Sequence, residues 1–390
     1  MVSHIQLLQY LKHQWQRLGA IVFIASSGLT VSPTLAQGNL GRTLLQQVGQ
    51  CVQQDIIRQR LFSQEALELA SMNCTFRVVV LTPEGKVRQD AEARMLALVQ
   101  ASGAQVPLPD SQGRAMVPLT VLPGDDVFTV PVRIGNQTYP FLVDTGASSS
   151  IIDSQIARRL GLRGTQIPSR LLSYMVVGND CTNVKATVHP LPTLQVGNAT
   201  VRGLRGMGLE RKDIPGRLGG VLGMDFLSGF DVMINPRSRQ LQLSPPTPLS
   251  KTGIPLQGKM GLMTVSVQIN GRGPFTLALD TGATWMVLSP ALARRLQINI
   301  AAAEPMEVQG FCGSETGKLV TLNQVLIQTH QVNQLQAIVL LNSEPLDLLQ
   351  VDGIVGQNFL NRYQQRWQFG QRSPLGYPTS GRLELIPLRP

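Results

Sequence analysis

Charge is scarce in this chain: Asp, Glu, Lys and Arg supply 15% of 390 residues, against a usual ~25%. Long solvated helices laced with ion pairs are therefore not expected. Aromatic residues reach only 5%, and there are four histidines, two of them (His4 and His13) within the first 13 residues. His189 and His330 stand alone, so neither a metal cluster nor a Ser-His-Asp triad is indicated. No Gly-rich loop ends in Lys-Ser or Lys-Thr with nucleotide-binding spacing; Lys251-Thr252 follows prolines. No cofactor or metal is expected. The formal charge is +10, from 34 bases and 24 acids, but no block of five like charges exists, which reads as a diffuse basic surface without a nucleic-acid partner.

Export is indicated at the N terminus. The apolar run Leu18 to Val31 has 14 residues, short of the ~20 that cross a bilayer as a helix. It follows Lys12 and Arg17, no acid precedes it, and Thr34-Leu35-Ala36 then offers small residues before a cut. Residues 1–36 thus read as a secretory signal, with an uncleaved anchor as the alternative. Its removal takes away two bases and leaves +8. A periplasmic or extracellular protein without stable membrane insertion follows. There Cys51, Cys74, Cys181 and Cys312 meet oxidising conditions, with three full pairings open to them.

What the chain does have is apolar residues (43%) and turn formers, 37 Gly and 25 Pro, which favour many short strands. Its length suggests two or three domains. An internal repeat then organises it. Phe141-Leu-Val-Asp-Thr-Gly-Ala-Ser148 recurs as Leu277-Ala-Leu-Asp-Thr-Gly-Ala-Thr284, offset by 136. Ala157-Arg-Arg-Leu160 recurs at 293–296 with the same offset, and Gly220-Val-Leu-Gly-Met-Asp-Phe-Leu227 at 353–360 with an offset of 133. Val130 to Gly135 matches Val265 to Gly271. Four matched segments in one order indicate a duplicated unit.

Ser244-Pro-Pro-Thr-Pro248 cannot continue a central strand, because each proline lacks a donor. The expected organisation is signal 1–36, accessory domain or pro-segment 37–125, lobe 126–244, Pro-rich linker 245–254 and lobe 255–390. Within the lobes, Asp153 or Ser154 is expected to cap a helix over 154–162 and Ser289 one over 290–297. In the accessory segment, helical spacing runs over 44–70 and 90–100, with a strand at 76–81 before a turn at Pro83-Glu84-Gly85. That segment carries seven acids and eight bases over 37–124, which argues against a strongly basic inhibitory pro-segment. Trp15 lies in the signal; Trp285 and Trp367 read as packing residues, Trp285 alternatively as a wall of a binding subsite.

Asp144 and Asp280 carry the chemistry. A carboxylate closing an apolar strand is costly unless hydrogen-bonded, and the Thr-Gly that follows supplies a hydroxyl and turn amides to hold it. A pseudo-twofold axis would bring the two equivalent Asp residues face to face. Two carboxyls in contact share one proton and titrate as a unit. One can then deprotonate a water while the other protonates a carbonyl.

With these residues the sequence resembles the aspartic peptidases, specifically the retroviral-type, retropepsin-like branch found in bacterial exported proteins. The resemblance spans 126–390 and rests on Asp-Thr-Gly-Ala at 144–147 and 280–283, with Val221-Leu222-Gly223 and Ile354-Val355-Gly356. It implies a mainly β fold: two tandem closed β-barrel lobes related by a pseudo-twofold axis, preceded by a small helical or α+β N-terminal segment. It further implies endopeptidase activity on a peptide or protein substrate. In its terms Asp144 and Asp280 are catalytic, Thr145 and Thr281 cross to the opposite motif, and Gly146, Gly282, Gly223 and Gly356 support the dyad. Both halves lie in one chain, so a monomer is expected. Asn358 stands where the first copy has Asp225, a difference confined to local support.

The resemblance also implies two β-hairpin flaps, at 174–188 and 307–320, with Gly178 and Gly310 as hinge or tip glycines. Cys181 and Cys312 fall at matching places in them, which leads to the expectation that they pair across the cleft and that Cys51 pairs with Cys74; separate buried thiols are the alternative. Such a bridge would restrict opening and favour thin, extended substrates. A proteolytically silent peptide-binding module and a self-processing-only peptidase are the rival readings.

Overall fold

The structure, a computed structural model, describes residues 36–59, 63–103, 107–178, 180–342 and 344–388. The export-signal reading falls outside these residues except for Ala36, which opens the first helix. No helix among the described residues is long and apolar enough to cross a membrane.

The N-terminal segment is helical. Ala36–Gln59, Gln64–Thr75 and Ala91–Ser102 pack together, and a Cys51–Cys74 disulfide ties the first two. The single helical pattern read over 44–70 divides here, since Ser63 N-caps the second helix by accepting from the Ala66 amide at 3.2 Å. The strand expected at 76–81 is absent. Phe76–Val80 instead continues the second helix as a π-helical turn that buries Phe76, Val79 and Val80. Three apolar residues at helical spacing gain more from packing on the helices than β-branching gains from a strand. Only Leu81 forms a bridge, to Val87 across the Gly85 turn.

From residue 110 onward the fold is β. In the second lobe six strands close into a barrel by hydrogen bonds: Leu262–Ile269, Arg272–Leu279, Gly353–Val355, Met286–Leu288, His330–Leu340 and Gly313–Ile327, the last pairing back onto the first through Gln268↔Leu326. The first lobe repeats this order with Phe128–Ile134, Gln137–Val143, Gly220–Leu222, Ile151–Asp153, Arg205–Leu209 and Ala186–Pro190, but its ring does not close continuously. The strand breaks after Pro190, and Leu194–Val196 resumes it to reach Arg133. Pro190 and Pro192 lack the amides that a continuous ladder needs there, so the closed barrel expected for both copies is complete in the second only. Both predicted helix caps are present: Asp153 accepts from the Gln155 amide and Ser289 from that of Leu292.

The two lobes share one sheet. Ala115–Pro118, Gln240–Ser244 and Asp231–Asn235 from the first half continue into Tyr363–Phe369, Ser380–Pro387 and Ile254–Lys259 from the second. Met233 pairs with Arg366 at the seam, and these positions are related by the repeat offset of 133, so the pseudo-twofold axis passes through this pair. Trp367, fully buried and stacked on Phe369, anchors the seam opposite Val232. The strands at 110–112 and 115–118, assigned by sequence to the accessory segment, are thereby built into the body of the protein.

Candidate active site

Each Asp-Thr-Gly closes a buried strand. The Asp144 amide donates to Leu222 O at 3.1 Å and the Asp280 amide to Val355 O at 3.0 Å, so each motif is held by the neighbouring hydrophobic-Gly strand running parallel to it. Behind that strand the Met224 amide reaches Ala147 O (2.7 Å) and the Gln357 amide reaches Ala283 O (2.8 Å). A Cβ on Gly223 or Gly356 would overlap the backbone of the loop after the Asp-Thr-Gly turn, which explains glycine at both places.

The two motifs interlock through their threonines. Thr145 Oγ1 donates to Leu279 O at 2.9 Å and accepts from the Thr281 amide at 3.1 Å; Thr281 Oγ1 donates to Val143 O at 2.8 Å and accepts from the Thr145 amide at 3.0 Å. All four bonds are buried. Thr145→Val or Thr281→Val would orphan a buried N–H and a buried C=O, each costing about 1–3 kcal/mol. We expect a fall in unfolding free energy of about 2–6 kcal/mol in denaturant titration, with Thr→Ser restoring most of it.

The turn amides then fix the carboxyls. Asp144 Oδ1 accepts from Gly146 (2.7 Å) and Ala147 (3.0 Å), and Asp280 Oδ1 from Gly282 (2.8 Å). Gly146 lies against the Asp280 carboxyl and Gly282 against that of Asp144. The two carboxyls are hydrogen-bonded to one another, with Asp144 buried and Asp280 half-buried at the floor of a cavity. Burial pushes Asp144 well above the ordinary carboxylate range, and the charge of Asp280 and the hydrogen bond to it push further. Burial raises Asp280 too, while the hydrogen bond from Asp144 and the turn amides oppose it. Both carboxyls are raised, so the pair holds one shared proton and titrates as a unit.

Asp225 and Asn358 turn out to do one job. Asp225 Oδ1 accepts from the Ser150 amide and Asn358 Oδ1 from the Met286 amide, both at 2.9 Å, and Ser150 and Met286 are repeat equivalents. They differ in charge. Burial raises Asp225 to about 6 despite hydrogen bonds from Ser150 and Phe226. A carboxyl raised on folding favours the folded state below its unfolded pKa and loses that contribution as pH rises through the folded value. The loss here falls between about pH 4 and pH 6 and amounts to about 3 kcal/mol. Asp225→Asn should flatten the stability-versus-pH curve across that window in chemical denaturation at pH 4, 5, 6 and 7, and should not be destabilising at pH 7.

The dyad sits in a cavity of about 980 Å³. Trp285 lines it, as the subsite alternative proposed, whereas Trp367 belongs to the seam. The loop Leu122–Val127 also lines it and escaped the sequence reading; the Pro-Gly-Asp-Asp turn just before the first lobe strand was the available signal. Its lining carries five carboxylates (Asp125, Asp126, Asp144, Asp280, Glu307) and no Lys, Arg or His among the described residues. The basic surplus lies elsewhere, so the field at the dyad opposes acidic segments. His189 is buried against Gly164 and Gly208 with Nε2 2.7 Å from Thr187 Oγ1, and His330 packs edge-on to Tyr363.

The flaps differ from one another. Glu304–Gly310 and the start of Gly313–Ile327 form the expected hairpin in the second lobe. In the first, the described residues of 174–188 form no hairpin: the helix Ser169–Met175 runs into an extended Val176, and a 3₁₀ turn lies at Cys181–Asn183. Leu171, Leu172, Tyr174 and Met175 are buried at helical spacing, which decides the local structure. Where the two flaps touch, Gly178 (φ 132°) lies against the Cys312 backbone and Gly310 against that of Val177, and Cys181 is disulfide-bonded to Cys312.

Comparison with known proteins completes the assignment. Residues 130–229 and 265–362 each match the family described as gag-polyprotein putative aspartyl protease, together 198 of 390 residues. Among solved structures, a retropepsin-like aspartic protease from Rickettsia conorii is similar at 17% identity, covering 35% of this chain and 94% of its own, with a TM-score of 0.25. No curated protein matches. With the family match falling on both copies of the unit and covering half of the chain, this protein belongs to the gag-polyprotein putative aspartyl protease family.

Proposed function

We propose that the chain is an aspartic endopeptidase in which Asp144 and Asp280 activate one water between them. The observation that carries this reading is the pair of hydrogen-bonded carboxyls at the base of a single cleft, each oriented by the amides of its own turn. Asp280, ionised, takes a proton from the water as the oxygen attacks the scissile carbonyl carbon. Asp144 gives its proton to the carbonyl oxygen, so a neutral tetrahedral diol forms. Collapse breaks the C–N bond, the proton on Asp280 passes to the leaving nitrogen, and a diol proton returns to Asp144. Acid and amine leave, and the dyad is restored.

Since both halves are supplied by one chain, a monomer suffices. The disulfides agree with an exported protein, and we place it in the periplasm or outside the cell. The test is hydrolysis of an unfolded protein between pH 3 and pH 7 by wild type, Asp144→Asn and Asp280→Asn. Equal rates for all three would leave only a peptide-binding module; a single internal cut without turnover would leave self-processing.

A further inference from the structure

We propose that this peptidase loads its substrate by threading: the Cys181–Cys312 disulfide closes the cleft into a passage that admits an unfolded chain by its free end and refuses a closed loop. The proposal rests on the peptidase reading and names the substrate class for that site.

Val176 and Val177 of the first lobe and Gln309, Gly310 and Phe311 of the second line the same cavity as the dyad, so the flaps form its roof. The roof is joined at its middle. The Cys312 amide donates to Val177 O at 3.1 Å and the Asp180 amide to Cys312 O at 2.9 Å. Gly178 and Gly310 permit this approach, since a Cβ on either would overlap the backbone of the opposite flap. The disulfide then links them covalently, with Cα atoms 4.6 Å apart. Both cysteines are buried.

The two hydrogen bonds are individually weak and would open readily on their own. The disulfide cannot open without a thiol or another reductant. Nor can the passage widen by hinging. The lobes are tied to one another by the crossed pair of threonines next to the dyad and again by the continuous sheet joined at Met233 and Arg366. The first-lobe flap is pinned at its base as well: the Tyr174 hydroxyl donates to Gly85 O at 2.9 Å, and its ring packs on Phe76 of the N-terminal segment. Floor, walls and roof therefore form a closed ring around whatever lies on the dyad. A linear chain can pass through such a ring end first; an internal segment of a closed chain cannot.

The experiment compares a linear peptide that contains a cleavage site mapped in an unfolded protein with the head-to-tail cyclised peptide of the same sequence. Oxidised wild type is expected to cut the linear form and to cut the cyclic form at least ~100-fold more slowly. The Cys181→Ser/Cys312→Ser variant should bring the two rates within a few-fold, while Cys51→Ser/Cys74→Ser should keep the refusal. Comparable cutting of both peptides by oxidised wild type would overturn the proposal, and that comparison needs no variant. If the double variant folds, by melting, and still refuses the cyclic peptide, the disulfide is not the gate and the proposal fails. Failure of every form to cut the linear peptide would instead sink the peptidase reading, and this proposal with it.

Discussion

Asp144→Asn and Asp280→Asn should each lower the rate of hydrolysis of an unfolded protein by about 10²–10⁴-fold, the range for removing one positioned acid or base. Neither change should weaken the fold at neutral pH. Both carboxyls are raised by burial, so the folded state favours their protonated forms. By linkage, their contribution to stability is complete at low pH and is lost as pH rises. Asparagine does not titrate, and it keeps an oxygen for the Gly146 or Gly282 amide. Melting temperatures at pH 7 should therefore equal or exceed that of wild type, which separates a chemical defect from misfolding. The wild-type rate should trace a bell in pH. Its acid limb marks protonation of Asp280 and its basic limb the loss of the shared proton. Because Asp144 lies well above the usual carboxylate range, the basic limb should fall above the pH at which a free carboxyl ionises. Unchanged hydrolysis in both variants would remove the dyad from the mechanism.

Gly146→Ala and Gly282→Ala should be nearly as damaging, although no reacting atom is removed. A Cβ on Gly146 would overlap the Asp280 carboxyl, and one on Gly282 that of Asp144. Neither glycine has a positive φ, so the obstacle is space and not backbone conformation. The carboxyl must move aside, which breaks the hydrogen bond that shares the proton. A misplacement of about 1 Å costs about 10²-fold in rate. We expect a loss of that order in kcat, together with a return of the dyad toward ordinary carboxylate titration, visible as a basic limb moved to lower pH. An alanine variant with wild-type rate and pH profile would show that the carboxyls do not need this contact.

Much of the site was legible in the chain. Asp144 and Asp280 stand in the two best-matched segments of the repeat, and the threonine and glycine beside each perform local tasks that need only neighbouring backbone. The helix caps at Asp153 and Ser289 were legible for the same reason, since a cap acts within three residues. The first-lobe flap was not. The family resemblance implied a hairpin there, but the chain from Ser169 to Met175 buries its apolar residues at helical spacing between the second lobe and the N-terminal segment. The expected strand at 76–81 failed similarly, because partners distant in sequence favoured a helical turn.

The sequence by itself determined the duplication, the two carboxyls with their Thr-Gly turns, and the glycines at 223 and 356, because each reports on a short stretch of backbone whose chemistry is local. Only the tertiary structure decided that the carboxyls meet and share a proton, and that the halves are sewn into one sheet at Met233 and Arg366. It likewise decided which of three cysteine pairings forms and that one of them roofs the cleft. Apart from the Cys51–Cys74 bridge, which spans 23 residues, these features depend on contacts across 130 residues or more and on the exclusion of water from the space between the lobes, and both come into being only when the two copies pack against each other.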